Sequence, residues 1–263
     1  MQHVEVAGLR IAYRRAGSGP SLLLLHGALS DSREWGHQID ALSEEFDTVA
    51  GDAPGCGGSS DPSETIGLDG YADCLAGFID ALGLDRPHVA GLSFGAGLAL
   101  ELYRRHPRLP RSLLLASAYA GWAGSLAADE VAARVQLVLR QADLPPDQVV
   151  DEWLPTLFTN SVSADVVEET AAIMRDFHPA GMRAMARAFA EADLRDVLPS
   201  IDVPTLLLYG DADQRSPRDV AEALHAAIPG SELVWMHGVG HQSNLEAPAR
   251  FNDEVRAFLR RFD

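Results

Sequence analysis

The chain alternates between short runs apolar at every position and longer stretches in which apolar residues return every three or four positions. "PSLLLLHG", "FDTVAGDAPG", "RPHVAGLS", "RSLLLASA", "VPTLLLYGD" and "SELVWMHG" are of the first kind, each a brief β-rich run that stops at Gly, Asp, Ser or His. A run without polar alternation suits a strand covered on both faces. Residues 3–6 and 9–13 add two short strands around an Ala7-Gly8 turn. The second kind includes Trp35, Ile39 and Leu42, then Tyr71, Leu75, Phe78 and Leu82, and finally Phe251, Val255, Phe258 and Leu259. These spacings predict helices, as do residues 94–105 and 219–228. Strands and helices taken in turn predict an α/β fold: a mainly parallel, doubly wound sheet of about eight strands with helices on both sides.

One region departs from this rhythm. Between Gly121 and Leu198 no strand is apparent, and helical patches such as "EVAARVQLVLRQ" and "AGMRAMARAFAEA" are divided by Pro145-Pro146, Pro155 and Pro179. The strand pattern resumes just after Val203. The stretch 121–198 is therefore read as an all-helical cap inserted into a core made of residues 1–120 and 199–263, rather than as a separate helical domain.

Charge narrows the range of partners. The formal net charge is −17, from 38 acidic and 21 basic residues, and a field of that sign repels phosphate backbones. Nucleic acid and anionic membranes are thus not expected as partners. Two cysteines, Cys56 and Cys74, are too few for a disulfide framework and lack metal-ligand spacing, which fits a reducing compartment. "MQHVEVAGLR" has no basic segment leading into an apolar one, and the longest purely aliphatic run is Leu22–Leu25. Neither a signal peptide nor a membrane span is expected, and the chain reads as cytoplasmic.

The stretch "HVAGLSFGAGLAL" places one serine between two glycines where a strand gives way to a helix. Gly91-Leu92-Ser93-Phe94-Gly95 fits the G-x-S-x-G pattern, in which a serine sits on a sharp turn and a Cβ two residues to either side would strike backbone. Gly97 and Ala99 are expected to let the helix lie close to the sheet. The helix's first amides would face the hydroxyl, where negative charge develops in acyl transfer. Alone, the same serine is equally well a helix cap.

A nucleophilic serine needs a base, and histidine has the suitable pKa. Of nine histidines, His241 in "HGVGHQSNLEAPARF" follows the last predicted strand, and Gly238 and Gly240 predict a mobile, exposed turn around it. His237 is assigned to the strand itself, and His106 and His225 to helices. The base in turn needs a carboxylate to hold its ring. "LLLYGDADQRSP" offers Asp211, suited to the turn after Gly210, and Asp213, further out and favoured to reach a histidine on the next loop.

Taken together, these residues resemble the α/β-hydrolase superfamily, whose chain order is nucleophile, acid, histidine: here Ser93, Asp213, His241. "LLLLHGALSDSREW" is similar to the family's His-Gly loop after the third strand and "DAPGCGGSS" to its D-x-P-G-x-G-x-S loop after the fourth. "GDADQRSP" resembles its acid loop and "GHQSNLEAP" its histidine loop, so the likeness runs over nearly the whole chain. It implies a Ser93–His241–Asp213 triad and an oxyanion hole built from the backbone N–H groups of Ala28 and Phe94. It also implies His26 as a structural anchor, a small-molecule ester or lactone as substrate, and no metal or organic cofactor.

A serine where some relatives carry an aspartate nucleophile disfavours haloalkane and epoxide chemistry. "HGALSD" departs from the His-Gly-Gly-x-Pro-Gly of relatives that cleave carbon–carbon bonds or remove N-terminal proline. The segment from Phe177 to Gly210 resembles the cap-to-core junction of 3-oxoadipate enol-lactonases and related esterases. A small dicarboxylate would need a cationic anchor there, with Arg134, Arg175, Arg183 and Arg187 as candidates. Cap residues Trp153, Phe158, Phe177, Met182, Met185 and Phe189 either line an apolar pocket or simply bury the cap. Two alternatives share the site: a cofactor-free perhydrolase or haloperoxidase, and a hydrolase-like small-molecule receptor.

Overall fold

The computed structural model describes residues 1–262. Its strands are β1 (Gln2–Val6), β2 (Leu9–Ala16), β3 (Ser21–Leu25), β4 (Asp47–Gly51), β5 (His88–Leu92), β6 (Ser112–Ala116), β7 (Thr205–Gly210) and β8 (Glu232–Met236). They form one eight-stranded sheet in the order β1-β2-β4-β3-β5-β6-β7-β8. The pairs β1·β2 and β2·β4 are antiparallel and every other pair is parallel. The second strand runs three residues beyond the predicted 9–13 because Tyr13–Ala16 extend the ladder with β4, Tyr13 opposite Gly51 and Ala16 opposite Thr48.

Alternation of side chains across the pleat explains why the runs are apolar throughout. Leu23, Leu25, Val89, Leu113, Leu115 and Leu207 point into one core layer, and Leu22, Leu24, Ala90, Leu114, Leu206 and Leu208 into the other. The first layer is closed by α2 (Leu68–Ala81) and α3 (Phe94–Arg105), the second by α1 (Gly36–Leu42). Helices on opposite faces of a parallel sheet are the predicted α/β arrangement.

From the end of β6 to the start of β7 the described chain is helical: α4 (Ala128–Gln141), α5 (Pro146–Trp153), α6 (Ala164–Arg175) and α7 (Pro179–Glu191). Pro146 and Pro179 open α5 and α7, where a missing N–H costs nothing. After β7 come α8 (Arg218–Ala227), and after β8 the short α9 (Ser243–Glu246) and the terminal α10 (Pro248–Leu259), which joins α1 on the second face. The last of these matches the periodicity of Phe251, Val255, Phe258 and Leu259, all buried.

The expectation for Gly97 needs correcting. A Cβ there would stand 2.2 Å from the Phe189 ring, so the glycine admits a side chain of α7, not the sheet. Phe189 also makes edge contacts with Phe94 at 5.6 Å and Trp122 at 5.8 Å between ring centroids. The helices over the sheet's carboxyl end are thus keyed directly onto the serine turn.

Candidate active site

Ser93 lies between β5 and α3 with φ 53° and ψ −109°, a conformation residues with side chains rarely adopt. Holding it costs on the order of 1–3 kcal/mol, so its surroundings must over-determine it. They do: the Ser93 amide donates to Ala116 O at 2.9 Å, and its carbonyl accepts from the Ala96 and Gly97 amides at 3.1 Å. A Cβ on Gly91 would fall 2.3 Å from the Gly95 carbonyl group, and one on Gly95 2.2 Å from Leu25 O. Both glycines are therefore required by backbone contact, as the G-x-S-x-G reading expects. Phe94 is the first residue of α3, so its amide has no acceptor within the helix.

The loop after β3 is braced from behind. His26 is buried, and its Nε2 accepts from the Ala53 amide at 3.0 Å, which leaves Nδ1–H to donate to Gly27 O at 2.7 Å. That carbonyl belongs to the same planar trans peptide as the Ala28 N–H, which consequently points the opposite way. The Gly27 amide donates to the Glu34 carboxyl at 3.4 Å. Burial pushes the Glu34 carboxyl up to about 7, against the opposing bonds from Ser30 and Gly27. His26 is thus a structural anchor of this loop, as expected.

Asp213 and His241 meet across neighbouring loops: His241 Nδ1 is 2.9 Å from Asp213 Oδ2 and 3.1 Å from Oδ1. Their side chains are 5% and 1% exposed, for the ring and the carboxyl respectively. Burial by itself would raise the Asp213 carboxyl. The His241 ring and the amides of Ser216 and Arg215 outweigh it and hold the carboxyl below its ordinary value. The exposed turn expected at His241 is not what forms. Of its two glycines only Gly238 is exposed; Gly240 is buried and donates to Glu246 Oε2 at 2.7 Å, and Gln242 donates to Leu157 O of the helical region at 3.2 Å. Tertiary contacts overrode the flexibility that two glycines suggest.

His237 and Asp211, the rival pair, bond each other instead at 2.9 Å on the outer rim. His237 stands one residue past β8 and is exposed. His106 pairs with Asp73 at 2.9 Å and His225 Nδ1 with Ser231 Oγ at 2.9 Å, so neither approaches Ser93.

Ser93, His241, Ala28 and Phe94 all line one cavity between the sheet and the helices above it. The Ser93 hydroxyl makes no hydrogen bond among the described residues. Of the cap residues named from sequence, Trp153, Met182, Met185 and Phe189 face this cavity, whereas Phe158 and Phe177 do not. Of the four arginines only Arg134 does. Arg175 is paired with Asp147 and Glu168, Arg183 with Asp143, and Arg187 with Glu64.

Sequence reading missed several contributors. Arg215 lines the cavity, but its place in "GDADQRSP" carries no sign of what folds over it. Ser117, at φ 47°, donates through Oγ to His241 O at 3.1 Å, and Tyr209 and Ser216 both donate to Ala118 O, at 2.8 and 3.1 Å. The end of β6 thereby ties the acid and histidine loops together. Glu246 also accepts from the Thr159 amide at 3.0 Å, clamping the histidine loop to the helical region.

Known proteins share this fold over nearly the whole chain. An esterase from Thermogutta terrifontis superposes with a TM-score of 0.93 at 28% identity, covering 100% of this chain and 99% of that one. The enol-lactonase of Burkholderia xenovorans gives 0.89 at 26% identity, covering 98% and 100%. A carboxylesterase of Bacillus subtilis is 26% identical over 246 residues, 91% of this chain and 80% of that protein. No helix among the described residues is long and apolar enough to cross a membrane. With the family model matching from residue 22 to residue 254, the chain belongs to the alpha/beta hydrolase family.

Proposed function

We propose that this hydrolase cleaves a carboxylic ester or lactone of a small molecule by two-step acyl transfer. The observation that carries the reading is the buried Asp213–His241 hydrogen bond in the wall of the cavity that Ser93 also lines. With Nδ1–H donated to Asp213, the free lone pair of the ring is on Nε2. Ser93 Oγ attacks the carbonyl carbon while Nε2 takes its proton, and the amides of Ala28 and Phe94 receive the oxyanion. The imidazolium then protonates the departing alcohol. Water attacks the acyl-enzyme, His241 takes its proton, and the acid leaves as the Ser93 hydroxyl is restored. No metal or organic cofactor enters any step. The esterase and enol-lactonase likenesses support this substrate class.

The test is turnover of a panel of lactones and p-nitrophenyl esters of graded chain length by the parent and by Ser93→Ala. The variant should lose on the order of 10⁴-fold or more in kcat while keeping the parent's melting temperature. Turnover retained by a folded Ser93→Ala would remove the serine from the mechanism.

A further inference from the structure

Between α2, the start of α3 and the strands β2, β3 and β4 lies an inner cavity of about 30 Å³ that the proposed mechanism does not use. Its wall is almost wholly apolar and includes Ile11, Leu25, Cys74, Phe78 and Leu98, all buried. The polar side chains that reach it are occupied elsewhere. His26 is spent on Ala53 N and Gly27 O, and the Asp52 carboxylate accepts from the Ser32 and Gly58 amides, both at 2.8 Å. Of the side-chain oxygens and nitrogens in this wall, only Tyr71 Oη has no partner among the described residues. A buried water needs about two to four polar partners, so one hydroxyl does not hold it and the space suits hydrocarbon.

Among the described residues, Phe94 alone lines both this cavity and the one Ser93 lines. Its ring is a partition. Tyr71, in the inner wall, meets it edge-on at 5.5 Å between centroids, and Phe189, in the wall of the Ser93 cavity, at 5.6 Å. The notch at Gly97 admits Phe189, so α7 backs the partition from the cap side. In the proposed mechanism the amide of this same residue faces the reacting carbonyl, and the departing alcohol stands against His241 to take its proton. What remains beside Phe94 is the acyl group.

We propose that the Phe94 ring sets the length of the acyl group, and that the cavity behind it is an apolar acyl subsite which the ring keeps shut. The preferred esters then carry short acyl groups such as acetyl, and removing the ring admits longer chains. The backbone of residue 94 serves the oxyanion whatever side chain it bears, which leaves the side chain free to set specificity.

This inference rests on the proposed ester chemistry, and the experiment keeps the two apart. The kcat/KM of p-nitrophenyl hexanoate is divided by that of p-nitrophenyl acetate for the parent, Phe94→Ala and Phe94→Leu, and for each variant with Cys74→Leu added. A ratio is read because damage to the oxyanion hole slows both esters alike. The parent should favour the acetate. Phe94→Ala should raise the ratio about fifteen-fold, roughly fourfold for each of two methylenes newly buried, and Phe94→Leu should raise it less. Cys74→Leu, which fills the inner cavity, should cancel the gain. The leucine variant keeps more of the packing and decides the matter should the alanine variant not fold. A parent that takes both esters equally, a ratio unmoved by truncating Phe94, or a gain that survives Cys74→Leu overturns the subsite while ester hydrolysis stands. If no ester is turned over, calorimetry with hexanoate and acetate decides it instead. Hexanoate gaining affinity over acetate in the truncated variant supports the subsite, and an unchanged preference overturns it.

Discussion

Two histidine–aspartate pairs bridge the loops after β7 and β8, and their hydrogen bonds are equally long. His241 and Asp213 meet at 2.9 Å, and so do His237 and Asp211. What separates them is water. The inner side chains are 5% and 1% exposed, the outer ones 79% and 33%. An exposed pair works in a high dielectric where its attraction is mostly screened, whereas an enclosed pair keeps it. A distance therefore does not tell the two pairs apart; enclosure, with His241 in the wall of the cavity that Ser93 lines, does.

A third carboxyl sharpens the contrast. Glu34 and Asp213 are both enclosed, yet burial raises Glu34 to about 7 while Asp213 is held low. The difference is the partner. Glu34 receives only neutral donors, Ser30 and the Gly27 amide, whereas Asp213 faces an imidazole that can carry positive charge.

The largest effect expected from breaking the comparison is that of Asp213→Asn. It should cost about 10⁴-fold in kcat on a p-nitrophenyl ester, because an amide no longer selects the Nδ1–H tautomer. Asp211→Asn, measured side by side, should change kcat less than about threefold, as befits a rim pair.

Next comes Gly210→Ala. The added methyl would stand 2.1 Å from Val239 O and 2.4 Å from Gly240 O, pushing the histidine loop off the acid loop. Overpacking of this kind typically costs about 1–3 kcal/mol, so a lower melting temperature should accompany a large fall in turnover.

Glu34→Gln should act through pH. A carboxyl raised from 4.5 to about 7 favours the folded state below the lower value, and that contribution is lost as pH climbs through the window between them. The variant removes the loss. Its stability relative to the parent should rise from pH 5 to pH 8 by up to about 3 kcal/mol, read from denaturation midpoints. Asp211, held low chiefly by His237, has the opposite sign: its contribution is present above the ordinary carboxylate range and lost as pH falls below it. Being exposed, it should give the smallest change of the set, seen as a slight loss of acid tolerance in His237→Gln.

The fold was legible because short apolar runs such as Leu22–Leu25, each ended by a small or polar residue, have few other uses than strands buried on both faces. The serine turn was legible for a similar reason: Gly91 and Gly95 answer contacts within one strand–turn–helix unit. The enclosure of His241 was not. It comes from Leu157 and Thr159 of the helical region, distant in the chain, which bond Gln242 and Glu246 of the histidine loop. Gly97 was misassigned for the same reason, since Phe189 lies 92 residues away along the chain. Arg215 shows the limit plainly. Its neighbour Asp213 stands out as a motif position, while its own surroundings, Trp153 and Thr156, belong to a distant helix end.

The most direct test is the rate at which a fluorophosphonate forms a covalent adduct, located by mass spectrometry of the digested protein, in the parent, His241→Ala and His237→Ala. The account predicts one adduct, on Ser93, formed orders of magnitude more slowly without the inner ring and at the parent's rate without the outer one. An adduct on another residue, or equal rates in all three, would contradict it.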